Sequence, residues 1–337
     1  MGSANKEDSF KLLDTYFQKG GNFIDTASNY QNELSEKYVG EWMKTRKNRD
    51  HIILATKYTM PYKLYETGPG TGINYSGNSR RNLYTSVRDS LHKLQTEWLD
   101  ILYLHMWDWS ASIPEVMDSL HNLVEQGKVL YLGISDTPAW LVAAANDYAL
   151  FHGKTPFSIY QGKWSIVDRD FERDIIPMAR HYGMALAPWG VLGGGRLQSK
   201  KSIEARKETG EGIRSHQGTE QTPQEAAVSA ALEQVAKQLG NVPVPVVALA
   251  YILHKAVDIN VFPIIGGRRV EQLEENLQAL DIRLTQKQVD ALEGVVPFNL
   301  GFPNNFIKEN SQVTGKTLPF IDPAGPIVWA SRPAPKP

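Results

Sequence analysis

Residues 100–134 read DILYLHMWDWSASIPEVMDSLHNLVEQGKVLYLGI, and this stretch decides the fold class. An apolar run, 100–104, leads into a loop. A helix is expected over 114–126, because Pro114 suits a first turn, where its missing N–H is not needed, and Gly127 can end it. A second apolar run, 129–134, follows at once. Neither run alternates strictly between polar and apolar residues. Strands buried on both faces have this character, as in a parallel sheet covered by helices.

The same unit recurs on either side. Upstream, Phe10, Leu13 and Phe17 recur at helical spacing over 6–19 until Gly20 and Gly21 stop the pattern. A short strand over 22–25, a helix over 33–46 and a strand over 51–56 follow. A helix over 79–94 carries Leu83, Val87, Leu91 and Leu94. Downstream come a helix over 138–148, a strand over 157–160, a helix over 170–182 and a strand over 184–187. Helices over 223–239 and 244–256, a strand over 261–264, and helices over 269–280 and 285–293 complete the regular part. Segments 58–78 and 195–222 read as long loops, which in compact domains are often functional.

Alternating strands and helices build either a doubly wound sheet or a β/α barrel. A closed barrel needs eight strands. Seven are legible, and the chain opens on a helix. The expected architecture is therefore an α/β fold of the (β/α)8 TIM-barrel type, incomplete with seven parallel strands. It would occupy 1–300 as a single domain. An irregular C-terminal arm, 301–337, would follow, partly packed through Phe302, Phe306 and Trp329. Strands 22–25 and 261–264 should then be neighbours across a gap. Unpaired backbone there must be wetted, paired by the arm or covered by another subunit, so a homodimer is plausible.

Composition narrows the function classes. The 337 residues suffice for one large domain with a deep core. A formal net charge of −1 argues against general affinity for nucleic acid or anionic membranes. The absence of cysteine excludes disulfides, thiol nucleophiles and thiolate metal sites, and no metal site is expected. No apolar run resembles a signal peptide or a membrane span, so a cytoplasmic location is expected.

Four polar residues fall at strand ends, where β/α barrels carry their chemistry. Asp25 ends NFID, Lys57 follows IILAT, His105 follows ILYL, and Tyr30 lies just past Asp25. Taken singly, each has an ordinary reading: a helix cap, a solvated lysine, a structural histidine, a packed tyrosine. Together they suit carbonyl reduction. A tyrosine hydroxyl can supply the proton, a neighbouring ammonium favours the tyrosinate, a carboxylate holds that ammonium, and a neutral histidine can orient the carbonyl.

NFIDTASNY, ILATK and LDILYLH resemble the Asp–Tyr–Lys–His region of the aldo-keto reductases. The resemblance implies catalytic roles for Asp25, Tyr30, Lys57 and His105. It implies that Ser135, Asp136 and Gln161 hold a nicotinamide carboxamide, with Asp136 departing from the commoner Asn. Trp189 would stack on the nicotinamide ring. Gly190, Val191, Leu192 and the glycines from Gly193 onward would run along the pyrophosphate. Gly266 and Gly267 would admit the adenosine phosphate, Arg268 would pair with the 2′-phosphate of NADPH/NADP, and Gln272, Glu275 and Asn276 would contact adenine. ASNYQNE, LHMWDW and GFPNNF bring the chain closest to the fungal aryl-alcohol dehydrogenase and norsolorinic acid reductase group. Tyr58, Trp107, Trp109 and Trp164, just past strand ends, are expected to line a pocket for a small aromatic carbonyl or alcohol substrate. Family members begin with a capping hairpin and a first strand that have no counterpart in this reading. Two other readings stand beside a working reductase: an incomplete barrel that binds nucleotide without turnover, and a Schiff-base aldolase using Lys57, which leaves Tyr30, Arg268 and Trp189 unexplained.

Overall fold

The computed structural model describes residues 4–209, 220–256 and 258–308, with scattered positions between 311 and 327. The helices are α1 (Lys6–Gln18), α2 (Leu34–Arg46), α3 (Leu64–Thr67), α4 (Arg80–Leu94), α5 (Ile113–Glu125), α6 (Ala139–Phe151) and α7 (Ile175–Tyr182). They continue as α8 (Lys200–Thr209), α9 (Pro223–Gln238), α10 (Val244–Lys255), α11 (Val270–Leu277), α12 (Gln286–Val295) and α13 (Asn304–Ile307). The strands are β1 (Phe23–Asp25), β2 (Ile53–Tyr58), β3 (Leu99–Leu104), β4 (Val129–Ser135), β5 (Phe157–Lys163) and β6 (Ala185–Trp189). All six pair in parallel and in chain order.

Local chemistry explains the element ends. Asn5, Ser79, Ser112, Thr222 and Thr285 accept backbone N–H groups at helix starts, and Thr222 and Thr285 complete reciprocal capping boxes with Glu225 and Gln288. Gly183 ends α7 in the left-handed conformation.

The seventh expected strand is present only in part. Segment 261–264 runs beside β6 but makes a single bridge, Leu186 to Val261. Leu186 donates to the Asn260 carbonyl, and Phe262 and Ile264 donate to Leu186 and Pro188. The return bond that the pattern requires from residue 188 cannot form, because a proline has no N–H to give. Among the described residues β1 pairs only with β2. The rings of Phe23 and Phe262 meet edge to face, with centroids 5.4 Å apart. The two end strands are thus neighbours, as expected, joined there by side chains.

Period two fixes what faces the barrel interior. Ala55, Ile101, Tyr103, Ile159 and Ala187 form an inner cluster with Phe23, Ala185 and Ile264. The Tyr103 ring occupies space that Gly133 leaves open; a Cβ there would lie 2.5 Å from it. Intervening residues such as Leu54, Leu102, Leu132 and Leu186 point outward into the main core beneath the helices.

Three expectations need correction. Segment 195–222 is not wholly a loop, because α8 occupies its first half; positions 210–219 lie outside the described residues. Segment 58–78 contains α3 and a 3-10 turn over Gly72–Tyr75. Phe302 and Phe306 do not anchor the arm in the core: they are 83% and 54% exposed and contact each other and Phe320 instead. Trp329 lies outside the described residues. What ties this region down is the chain just before it, where Arg169 and Arg173 stack over Phe298 and Arg173 donates to the Asn299 carbonyl.

Candidate active site

Continuing the inward-facing series past the inner cluster gives Asp25 after Phe23, Lys57 after Ala55, His105 after Tyr103, Gln161 after Ile159 and Trp189 after Ala187. The candidate chemistry therefore sits on the next layer toward the C-terminal ends of the strands. Parallel pairing brings these ends together without any loop having to fold correctly first.

Lys57 is the centre. Its side chain has no exposed surface, and its Nζ lies 2.5 Å from Asp25 Oδ2 and 2.8 Å from the Thr26 carbonyl. The Tyr30 ring centroid is 5.2 Å from the same nitrogen. Burial alone would drive this ammonium to give up its proton, but Asp25 and Tyr30 outweigh it, and the pKa stays above that of an ordinary lysine. His105 meets Tyr30 edge to face with centroids 5.9 Å apart. Burial, and then the Lys57 charge, pull the His105 pKa from 6.5 to about 3. The imidazole is therefore neutral at physiological pH, and its Nδ1 is buried without a hydrogen-bond partner among the described residues. The structure brings all four expected residues into one cluster.

Gln161 makes a contact that the sequence did not reveal. Its Nε2 donates to Asp25 Oδ1 at 2.9 Å, so the carboxylate is gripped by Lys57 on one oxygen and Gln161 on the other. Ser135 is buried beside Gln161 across the β4–β5 ladder. Asp136, just beyond, adopts a left-handed φ of 42° and accepts the Trp189 indole N–H at 3.0 Å. The protein packed around its carboxyl pushes the pKa up, opposed by Trp189, Lys57 and Ser135.

The residues expected to hold a dinucleotide lie at the ends of β4, β5 and β6, in the turn after β6 and around the start of α11. Gly190, Gly193, Gly194 and Gly195 all have positive φ, a conformation that glycine adopts without strain. Val191 turns its side chain into the core and Leu192 is half-buried, leaving main chain as their contact surface. Among the described residues no side chain caps the start of α11, whose N-cap is Arg269; a helix start of this kind suits a phosphate. Arg268 is exposed at this terminus, and its backbone N–H is accepted by Gln272. Gly266 and Glu275 are exposed, Gly267 is half-buried, and Asn276 is largely buried.

The aromatic wall differs from expectation. Tyr58 and Trp164 have almost no exposed surface and belong to the core; Trp164 stacks on Phe171 and donates to Glu172. Tyr58 is the last residue of β2 and Trp164 follows β5, and both side chains point outward from the barrel, so they do not line a pocket. Trp107 is also mostly buried. Trp109 is 65% exposed and pairs with Trp140, 63% exposed, at 6.3 Å between centroids. Trp140 was not singled out in the sequence, although its position just past the end of β4 was the available signal.

The sequence matches the model of the aldo/keto reductase family over residues 1–297. It is 61% identical over 317 residues to a probable aryl-alcohol dehydrogenase of Saccharomyces cerevisiae, covering 94% of this chain and 96% of that one. An aryl-alcohol dehydrogenase [NADP(+)] of Phanerodontia chrysosporium is 52% identical over 309 residues, 90% of this chain and 80% of that one. A norsolorinic acid reductase of Aspergillus flavus is 47% identical over 321 residues, 94% and 79% of the two chains.

Proposed function

Because the chain belongs to the aldo/keto reductase family and is an oxidoreductase, we propose that it interconverts aromatic aldehydes or ketones and their alcohols with NADPH/NADP. The observation that carries this reading is the buried Asp25–Lys57 pair beside Tyr30, with a neutral His105 edge to face with the tyrosine ring.

When bound, the reduced nicotinamide supplies the hydride. The protein's part is to manage charge on the carbonyl oxygen. Tyr30 donates its hydroxyl proton to that oxygen. The tyrosinate left behind is stabilised by the Lys57 ammonium, which Asp25 holds charged and Gln161 helps to fix by gripping Asp25. A neutral His105 can donate a hydrogen bond to the carbonyl without adding a competing positive charge. In the alcohol-oxidising direction the same groups act in reverse. A proton donor positioned in this way contributes about 10²–10⁴-fold to the rate. Arg268 supports the choice of NADPH, since a guanidinium matches a 2′-phosphate that NADH lacks. The exposed Trp109–Trp140 pair supports a flat aromatic substrate.

The test is loss of NADPH absorbance with a panel of benzaldehyde derivatives, alongside a titration of NADPH binding. Tyr30→Phe should lose most turnover and keep its NADPH affinity. Turnover by that variant equal to the parent's would remove Tyr30 from the proposed role. NADPH binding without turnover in the parent would favour the nucleotide-binding alternative. Among the described residues no helix is long and apolar enough to cross a membrane. The proposed substrate is a small molecule.

A further inference from the structure

Tyr30 sits on an awkward piece of backbone. The next three residues, Gln31, Asn32 and Glu33, all have left-handed φ angles, of 50°, 52° and 69°. Asn tolerates that conformation, whereas Gln and Glu do not favour it. Three such residues in succession persist only where surrounding structure enforces them.

The enforcement comes from a buried charge cluster outside the catalytic four. Lys93, near the end of α4, is 7% exposed. Its Nζ lies 2.6 Å from Glu33 Oε1 and 2.7 Å from Glu36 Oε2, and it donates to the Ser28 carbonyl at 3.4 Å. It also lies 5.0 Å from the Tyr62 ring centroid. Glu33 accepts a further bond from the Tyr65 hydroxyl. Glu36 has no exposed surface and accepts from Thr56 at 2.6 Å, on the residue immediately before Lys57. Gly40 lets α2 and α4 cross closely enough for this, since a Cβ there would lie 2.3 Å from the Lys93 carbonyl oxygen. One ammonium therefore grips the chain before Tyr30, at Ser28, and after it, at Glu33. Through Glu36 the same cluster is bonded to the strand that carries Lys57.

We infer that Lys93 is a positioning residue, which with Glu33 and Glu36 holds the Tyr30 loop in its left-handed course and so sets the tyrosine hydroxyl against Lys57. This rests on the proposed role of Tyr30. Held this way, the reacting hydroxyl depends on a cluster that touches neither substrate nor cofactor. Loss of the clamp lets the loop relax toward ordinary backbone angles and carries Tyr30 with it. A misplacement of about 1 Å can cost roughly 100-fold in rate.

Two variants test this in the full chain: the mild Glu33→Gln, and the charge-balanced triple Lys93→Met/Glu33→Gln/Glu36→Gln. Hydrogen exchange of the free protein is the readout that does not need activity. Amides over 28–35 should exchange roughly tenfold faster or more, while those of β2 and β3 keep their protection. In the loaded enzyme, kcat should fall about 10- to 100-fold with NADPH affinity unchanged. Unchanged exchange over 28–35, or equal loss of protection in β2 and β3, overturns the inference. So does faster exchange over 28–35 with kcat intact. If the parent reduces no carbonyl at all, the functional proposal fails, and the exchange pattern still decides whether the clamp exists.

Discussion

Replacing Lys57 by methionine should destabilise the protein by about 3–5 kcal/mol, because it leaves the Asp25 carboxylate without its counter-charge in a site where the two side chains are 0% and 10% exposed. Asp25→Asn should cost a similar amount for the converse reason. The double variant exchanges the pair for neutral groups of similar shape, and Gln161 can still bond to the asparagine. Its cost should therefore lie well below either single change, a coupling of at least about 3 kcal/mol. Urea unfolding of the four proteins at neutral pH measures this directly. The pH dependence carries a sign of its own. In the parent, the Lys57 pKa is raised, so its contribution is complete below the ordinary lysine value of about 10.4 and is lost as pH rises through the raised value. In Asp25→Asn, burial has no opposing carboxylate and the lysine pKa falls. That variant should gain stability relative to the parent as pH rises toward 10.4. All three variants should lose carbonyl reduction, the double included, which separates the role in catalysis from the role in stability. A coupling below about 1 kcal/mol would show that the pair behaves as a solvated ion pair, and the reasoning from burial would be wrong.

His105 should make the protein acid-sensitive. The unfolded chain binds a proton at this residue below about 6.5, and the native state refuses it until about pH 3. Stability should fall steadily between those values, and less steeply in His105→Leu when urea midpoints are compared at pH 7 and pH 5. Arg268→Ala should weaken NADPH binding by about 1.5–3 kcal/mol, as for a lost charged hydrogen bond, with NADH hardly affected; equal losses for both cofactors would count against the 2′-phosphate assignment. Trp109→Ala and Trp140→Ala should each raise KM for benzaldehyde derivatives more than for short aliphatic aldehydes, because only the aromatic substrate can use the exposed ring pair.

The amino-acid sequence alone carried the element order, the parallel sheet and the four catalytic candidates. These rest on local signals: apolar runs, helix caps and the polar residue that ends each strand. Once strands are parallel and in chain order, Asp25, Lys57 and His105 must arrive on the same end of the barrel, so their proximity needed no further information. The sequence could not tell which face of a strand each side chain takes. Trp164 follows its strand as His105 does and Tyr58 ends β2 one place after Lys57, but a shift of one residue in a period-two structure turns a side chain from the barrel interior to the helical layer. Neither could it show that Pro188 removes a ladder bond from the seventh strand, since the missing partner lies far along the chain at Phe262. The grip of Gln161 on Asp25 joins residues 136 positions apart, and Lys93 reaches Glu33 across 60. Such contacts leave no periodic trace in sequence, because they depend on how closely two elements pack, which Gly40 sets between α2 and α4. Pattern fixed the alternation of the main strands and helices; tertiary packing alone decided which buried charges meet.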